Sequence, residues 1–93
     1  MNMTIKFQLG QIVATPAALA AIEKSGDNTV ELIDRHMRLE QGELDGEDHR
    51  ANQQAVKLGN RILSSFALKN GTKVWVITEA DRSSTCVLLP EDY

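Results

Sequence analysis

Two apolar segments on either side of a tight turn dominate the hydropathy pattern of this chain. Residues Ile62–Leu68 and Thr72–Thr78 are rich in β-branched, aromatic and aliphatic side chains, which favour strands. Between them, Asn70-Gly71 is typical of a two-residue type I′ turn, because both residues tolerate positive φ. The pattern therefore predicts a β-hairpin, followed by a third strand over Thr85–Leu89.

A two-residue turn also predicts the register of the hairpin. Counting back from the turn places Phe66 opposite Trp75 and Ser64 opposite Ile77. One predicted face carries Ile62, Phe66, Leu68, Trp75 and Ile77, and the other carries Leu63, Ala67, Val74 and Val76. Both faces are partly apolar, so we expect helices on one face and a partial cover or a partner on the other.

A strand and a first helix are predicted at the start of the chain. Thr4–Val13 alternates as a strand, and Gly10 interrupts it in the manner of a bulge. Thr15 and Pro16 are typical of a helix start, and Gly26 of a helix end. The residues of this helix expected to face inward are Leu19 and Ile22.

Two further helices are predicted before the hairpin. The second is capped by Asp27 or Asn28 and runs to about Gln41, and the third is capped by Asp45 and closed by Gly59. The apolar stripe predicted for the second helix is Val30, Ile33 and Met37, with Leu32 and His36 beside it. The element order is β-α-α-α-β-β-β. We predict an α+β fold of one domain over residues 1–93, with three short helices packed on a mostly antiparallel three- to four-stranded sheet.

Composition narrows the classes of function and compartment. The net charge of −3 argues against a general nucleic-acid-binding protein, which is usually basic. The single cysteine, Cys86, has no partner for an internal disulfide, and this favours a reducing compartment. No apolar run reaches the roughly 20 residues of a membrane span, and the first residues lack the apolar region of a signal peptide. We therefore expect a cytoplasmic protein without a membrane partner.

Five segments carry a family resemblance: GQIVATPAALAAIEKSG, ELIDRH, GNRILSSF, GTKVWVITEADRS and TCVLLPEDY. Through them, and most specifically through WVITEADRS followed by LLPEDY, the chain resembles small bacterial proteins found on plasmids and other mobile elements. Members of this family are often labelled plasmid-related protein, and some are labelled type I restriction subunit. The resemblance implies a mobile-element context and no catalytic residue. A methyltransferase subunit would need a cofactor domain with a glycine-rich turn, which this sequence lacks.

His36, near the end of the second predicted helix, is the first candidate for chemistry. A histidine titrates near neutral pH, so it suits acid–base catalysis or metal binding. The alternative is a partly buried histidine whose ring bonds to a neighbour. His49 follows acidic residues and is predicted to be solvated. The two histidines are too far apart for an i,i+4 metal pair, and we predict neither a metal site nor a cofactor.

The connection before the third strand, residues 79–84, is the second candidate. Its sequence EADRSS concentrates charge and hydroxyl groups where functional residues often lie. The candidate binding residues are Glu79, Asp81, Arg82 and the nearby Trp75. In the alternative, Asp81 accepts backbone N–H bonds in an Asx-turn, while Arg82 pairs with Glu79 or Asp81.

An acidic group between the second and third helices is the third candidate. Its members are Glu40, Glu43, Asp45, Glu47 and Asp48. Most such runs are solvated surfaces, and the functional alternative is an acidic surface that competes with nucleic acid for a basic protein. Cys86 lies on a predicted strand, where a small core residue is favoured over a nucleophile.

Two functions fit these patterns. The leading prediction is a non-enzymatic protein-interaction module of a plasmid or other mobile element, which binds another protein or a second copy through a sheet face or the acidic connection 40–48. The alternative is a small metal-independent ribonuclease. His36 would be its acid–base residue, Arg82 would stabilise phosphate charge, and Ser84 or Thr85 would position the phosphate. This alternative requires His36 and Arg82 to share a cleft.

Overall fold

The computed structural model describes residues 7–38 and 54–93. The elements are β1 (Gln11–Ala14), α1 (Pro16–Ser25), α2 (Thr29–Met37), residues 54–58 of a third helix, α3, then β2 (Ile62–Ala67), β3 (Lys73–Thr78), β4 (Ser84–Leu88) and a 3-10 turn (Pro90–Asp92). The four strands form one sheet in the order β1-β4-β3-β2. β1 runs parallel to β4, and the other two pairs are antiparallel. The predicted α+β fold with a mostly antiparallel sheet is confirmed. No helix in the described ranges has the length and apolarity needed to cross a bilayer.

Local signals at both ends define α1 as predicted. The Thr15 hydroxyl accepts the Ala18 N–H at 3.1 Å, and Gly26 ends the helix in the left-handed conformation. The buried side of α1 consists of Ala18 and Ile22, whereas Leu19 is exposed, so the prediction that Leu19 faces inward is wrong.

α2 is shorter and differently oriented than predicted. Asn28 caps its start, and the helix ends at Met37 rather than at about Gln41. Its buried residues are Leu32, Ile33 and His36. Val30, expected in the buried stripe, is 75% exposed. The predicted start of the third helix, the acidic group at 40–48 and His49 lie outside the described residues.

The hairpin loop contains three residues, so the predicted two-residue turn is wrong. Leu68 N–H donates to the Thr72 carbonyl at 2.8 Å, and Gly71 N–H donates to the Leu68 carbonyl at 2.9 Å. Gly71 has φ +90°, while Asn70 is not among the residues with positive φ. A three-residue loop that ends in a left-handed glycine is a common hairpin connection, because the glycine forms a bulge that keeps the strands aligned.

The longer loop shifts the strand register by one residue. Phe66 lies opposite Val74, and Ser65 lies opposite Trp75. Side chains alternate between the two faces of a sheet along each strand. A shift of one residue therefore changes which residues of the neighbouring strand share a face with a given side chain. The predicted pairing of Phe66 with Trp75 is therefore wrong, and these two rings lie on opposite faces of the sheet.

The observed register separates a helix-covered face from a second sheet face. The helix-covered face carries Ile62, Ser64, Phe66, Val74, Val76, Thr78, Thr85 and Val87. It packs against the buried residues of α1 and α2, and Ile62 packs with Phe7 and Ala55 of α3. The second sheet face carries Val13, Leu63, Ser65, Trp75, Ile77, Cys86 and Leu88. Both faces are partly apolar, as expected from the sequence, but with different memberships.

The hairpin loop is joined to the turn between α1 and α2. The Lys69 N–H donates to Asp27 Oδ2 at 2.9 Å, and the Asn70 N–H donates to Ser25 Oγ at 3.0 Å. The Ser25 hydroxyl in turn donates to Asp27 at 2.8 Å. The backbone bond from Lys69, followed by the Ser25 bond, lowers the pKa of Asp27. These bonds fix the helices relative to one end of the sheet.

Candidate functional site

His36 lies inside the protein, between α2 and the sheet. Its side chain has 0% exposure, and each ring nitrogen contacts a hydroxyl of the helix-covered face. Nδ1 is 2.6 Å from Ser64 Oγ, and Nε2 is 2.8 Å from Thr78 Oγ1. Both hydroxyl-bearing residues are themselves fully buried. The imidazole therefore joins α2 to β2 and β3 through polar contacts that no solvent reaches.

The hydroxyl chain continues beyond Thr78 and fixes the tautomer of His36. Thr78 Oγ1 is 2.7 Å from Thr85 Oγ1, and the Thr85 hydroxyl donates to the Leu9 carbonyl at 2.7 Å. Each hydroxyl has one proton. Since Thr85 donates to a carbonyl, it accepts from Thr78, and Thr78 must accept from Nε2–H. Neutral imidazole has one N–H, so Nδ1 accepts a hydrogen bond from the Ser64 hydroxyl. Both ring nitrogens and all three hydroxyl groups of this network then have a hydrogen-bond partner.

This environment keeps His36 uncharged. Burial lowers its pKa from 6.5 to about 4, because the charged ring would lose its hydration. The ring also stands edge-on to Phe7, with 5.3 Å between ring centroids. Protonation would place a second N–H on Nδ1 and reverse the bond with Ser64. His36 is thus a satisfied, neutral residue of the core.

Arg82 joins the β3–β4 connection to the end of α3. Its Nη1 donates to the carbonyls of Asn60 at 2.7 Å and Glu79 at 3.0 Å, and Nη2 donates to the Ala55 carbonyl at 3.1 Å. The side chain thereby satisfies carbonyls at a helix C-terminus, where a cation is favourable. The backbone of Arg82 has φ +59°, an uncommon conformation for a residue with a Cβ. The contacts are with carbonyls, rather than with the carboxylates of Glu79 or Asp81.

Asp81 stabilises the same connection locally. Its Oδ1 accepts the Ser83 N–H at 3.0 Å, an Asx-type bond, and hydrogen bonds from Ser83 lower the pKa of Asp81. Glu79 instead pairs with Arg61, with 3.3 Å between the charged groups. Of the charged residues predicted at 79–82, Asp81 and Arg82 therefore stabilise the β3–β4 connection, whereas Glu79 forms an ion pair with Arg61.

Gly10 meets the β3–β4 connection at very close range. A Cβ on Gly10 would lie 2.4 Å from the Arg82 carbonyl oxygen, and Gly10 has φ +66°. The next residue, Gln11, donates its N–H to the Ser83 carbonyl at 3.0 Å. The predicted bulge is thus a close approach of two backbones, which a side chain would prevent.

The residues of the ribonuclease hypothesis do not form a solvent-facing site. Phe7 contacts both His36 and Arg82, and the guanidinium lies 5.8 Å from the ring centroid. His36 is nevertheless fully buried, and Thr85 is buried and bonded to a backbone carbonyl. Ser84 is half-buried at the start of β4. A phosphodiester has no route to the imidazole in this arrangement, so the hypothesis gains no support from the geometry.

The second sheet face carries a cluster that sequence reasoning only partly identified. Trp75 lies edge-on to Tyr93, with 5.8 Å between ring centroids, and the Arg61 guanidinium lies 5.9 Å from the Tyr93 ring. Arg61 Nη1 donates to the Tyr93 hydroxyl. The bond to Tyr93 raises the pKa of Arg61 most, and the hydrogen bond and opposite charge of Glu79 raise it further. We call Arg61, Trp75 and Tyr93 the aromatic cluster. Trp75 and Glu79 were predicted binding residues, whereas Arg61 and Tyr93 were not.

The C-terminal turn positions Tyr93. Asp92 Oδ2 accepts the Thr15 hydroxyl at 2.7 Å and the Leu89 N–H at 3.2 Å. The last residues therefore return across the second sheet face, and Tyr93 remains 69% exposed above Trp75. The aromatic residue at position 93 was the available sequence signal, but its placement depends on the hydrogen bond from the Thr15 hydroxyl to Asp92, which spans 77 residues.

Within residues 7–38 and 54–93, no group of three or more histidine, cysteine, aspartate or glutamate side chains is placed to bind a metal ion. The half-buried Cys86 lies on the second sheet face, where burial raises the pKa of its thiol and keeps it protonated. Comparisons with protein-family models, curated proteins and solved structures found no match. The resemblance to plasmid-related proteins stays a prediction.

Proposed function

We propose that this protein is a non-enzymatic protein-interaction module that binds its partner through the second sheet face, with the aromatic cluster at the centre of contact. The observation that carries the proposal is the grouping of tryptophan, tyrosine and arginine on one accessible sheet face. These three residue types are the most enriched among residues that dominate protein–protein binding energy.

The aromatic cluster is held ready for binding. Tyr93 is positioned by Trp75, by the bond from Arg61 and by the anchored turn before it. A ring that is already positioned loses little conformational entropy when a partner covers it, so more of the contact energy contributes to affinity. The half-exposed Arg61–Glu79 pair at its side offers both charges to a polar rim, which favours a defined orientation of the partner.

The candidate catalytic residues support a non-enzymatic role. Both nitrogens of His36 are bonded in the core, and the Arg82 guanidinium is bonded to backbone carbonyls. The plasmid or mobile-element setting rests on the sequence resemblance alone. The acidic connection 40–48 lies outside the described residues, and its role in binding stays a prediction.

The test compares three immobilised forms of the protein: wild type, Tyr93→Ala and Val30→Ala. Val30 is 75% exposed on α2 and serves as a matched control on the other side of the molecule. Each form captures proteins from a lysate of the host, and each captured protein is then purified and titrated against the three forms by calorimetry. Melting curves establish that the variants are folded.

We expect a partner that binds wild type and Val30→Ala equally and binds Tyr93→Ala at least about thirtyfold more weakly, since loss of a central aromatic contact typically costs about 2 kcal/mol or more. Equal binding by all three forms would place the contact elsewhere and refute the proposal.

A further inference from the structure

Strand β1 lies at an edge of the sheet and pairs with β4 on one side. The Gln11 N–H donates to the Ser83 carbonyl at 3.0 Å, and the Thr15 N–H donates to the Val87 carbonyl at 2.9 Å. Amide direction alternates along a strand, so every second residue of β1 points its N–H and C=O toward β4. The residues between them point these groups away from the sheet.

Ile12 and Ala14 are the residues whose backbone groups point outward. In the described part of the chain no backbone group pairs with this outer edge. Ile12 is 50% exposed and Val13 is 41% exposed, and they lie on opposite faces of the strand. Charged residues and proline commonly protect an edge strand from pairing with another strand. The sequence of β1, QIVA, contains neither.

We infer that β1 pairs with β1 of a second copy of this chain, antiparallel and about a two-fold axis. In the register that uses both outward residues, Ile12 lies opposite the partner's Ala14, and Ala14 lies opposite the partner's Ile12. Each of these two pairs exchanges two N–H···O=C bonds, which gives four in total. Val13 then lies on the axis, opposite the Val13 of the partner subunit, in a non-hydrogen-bonded pair.

A second copy fits this edge because the edge is complementary to itself. Registers centred on Ile12 or on Ala14 leave the other outward residue of β1 without its counterpart in the partner strand, so the register centred on Val13 is favoured. The uncharged strand brings no like charges together at the axis. The pairing joins the four described strands of each copy into one continuous sheet, and the two second sheet faces become continuous.

This inference does not depend on the proposed function, because the pairing uses the backbone groups at the edge of β1 and no residue of the aromatic cluster. The pairing strand is short, so the contact is at the small end of protein interfaces. We therefore expect a dimer that forms with rising protein concentration.

Disulfide trapping tests the register directly. Val13→Cys and Ile12→Cys are compared, both in a Cys86→Ser background, because Cys86 is the strand neighbour of Val13 and would otherwise compete for the new thiol. Opposite Cα atoms in a non-hydrogen-bonded pair are about 4.5 Å apart, within reach of a disulfide. The two Ile12 positions are diagonal neighbours, about 7–8 Å apart, which is beyond that reach.

We expect covalent dimers of Val13→Cys to form at least about tenfold faster than those of Ile12→Cys under mild oxidation. The two positions have similar exposure, so random collisions would oxidise both at similar rates. Equal rates, or faster trapping at Ile12, would overturn the inference.

Sedimentation of variants without added cysteine provides the second measurement. Val13→Lys places two like charges on the axis and should raise the dimer dissociation constant about tenfold or more, whereas the exposed Val30→Lys should leave it unchanged. If wild type stays monomeric over the whole concentration series, or if both lysine variants dissociate equally, the edge does not bind a second copy. A monomer that instead binds an added extended peptide at β1 would also overturn the choice of partner.

Discussion

The buried histidine predicts a specific pH dependence of stability. His36 is neutral in the folded protein and has no exposed surface. In the unfolded chain the same imidazole is hydrated and titrates near 6.5. Acidification therefore protonates the unfolded chain before it protonates the folded protein, and this difference draws the equilibrium toward unfolding.

The sign and the size follow from the two pKa values. The folded pKa is lowered to about 4, so between pH 4 and 6.5 the unfolded state binds one more proton than the folded state. The contribution of neutral His36 to the free energy of unfolding is fully present above pH 6.5 and is lost as the pH falls toward 4. A difference of about 2.5 pKa units corresponds to about 3 kcal/mol, with a maximum slope near 1.4 kcal/mol per pH unit.

The measurement is urea unfolding at a series of pH values between 4 and 8. The chain contains a single tryptophan, Trp75, so its fluorescence reports on β3 without interference. The comparison variant is His36→Gln, whose amide can donate to Thr78 and accept from Ser64 but does not titrate. Asp27 and Asp81 have pKa values lowered from 3.8, so their contribution to the pH dependence of stability is confined to pH values below about 4.

We expect the difference in unfolding free energy between wild type and His36→Gln to decrease by about 3 kcal/mol from pH 7 to pH 4. A pH-independent difference would mean that the imidazole titrates alike in both states. In that case the fixed tautomer and the neutral hydroxyl chain would be refuted together.

Two further predictions concern the backbone crossing near Arg82. Gly10→Ala should destabilise the protein by more than about 2 kcal/mol, because the new Cβ meets a carbonyl oxygen at 2.4 Å. Gly59→Ala has a similar positive φ but open space around the Cβ, so it should cost only about 1 kcal/mol, and equal melting temperatures would contradict the clash. Arg82→Ala removes bonds to four backbone carbonyls and should cost about 1–3 kcal/mol in thermal unfolding, whereas the exposed Lys24→Ala should stay within about 0.5 kcal/mol. An Arg82→Ala variant as stable as wild type would show that the carbonyls are satisfied without the guanidinium.

The parts of the fold that sequence reasoning predicted correctly depend on local chemistry. α1 begins at a threonine–proline pair and ends at Gly26, and each of these signals acts within one helical turn. The abundance of β-branched, aromatic and aliphatic residues likewise identified β2 and β3. These preferences need no knowledge of the rest of the chain.

The hairpin register illustrates where local reasoning fails. Asn70-Gly71 is compatible with both a two-residue and a three-residue loop, and the two differ by one position in strand pairing. Alternation did not resolve the choice, because apolar residues occur at odd and even positions of both strands. The bonds from the loop to Ser25 and Asp27 favour the longer loop, and they link residues more than 40 positions apart.

Prediction of the candidate site from the sequence was limited in the same way, because its residues are far apart along the chain. His36 was identified as a candidate for chemistry, and a partly buried ring bonded to a neighbour was the alternative interpretation, whereas the structure buries the ring fully. Its partners Ser64 and Thr78 lie 28 and 42 residues away, in strands whose register had been misassigned. The parallel pairing of β1 with β4 also had no local signal, so the position of β1 at an edge of the described sheet could not be anticipated.

The junction between the hairpin loop and the α1–α2 turn limits how related sequences can diverge. Hairpin tips usually tolerate inserted and deleted residues. Here the amides of Lys69 and Asn70 are both bonded to side chains of the α1–α2 turn, so a change in loop length would break two bonds and leave Asp27 without its backbone donor. Among natural variants of this protein, the length of this loop should be constant even where its sequence varies.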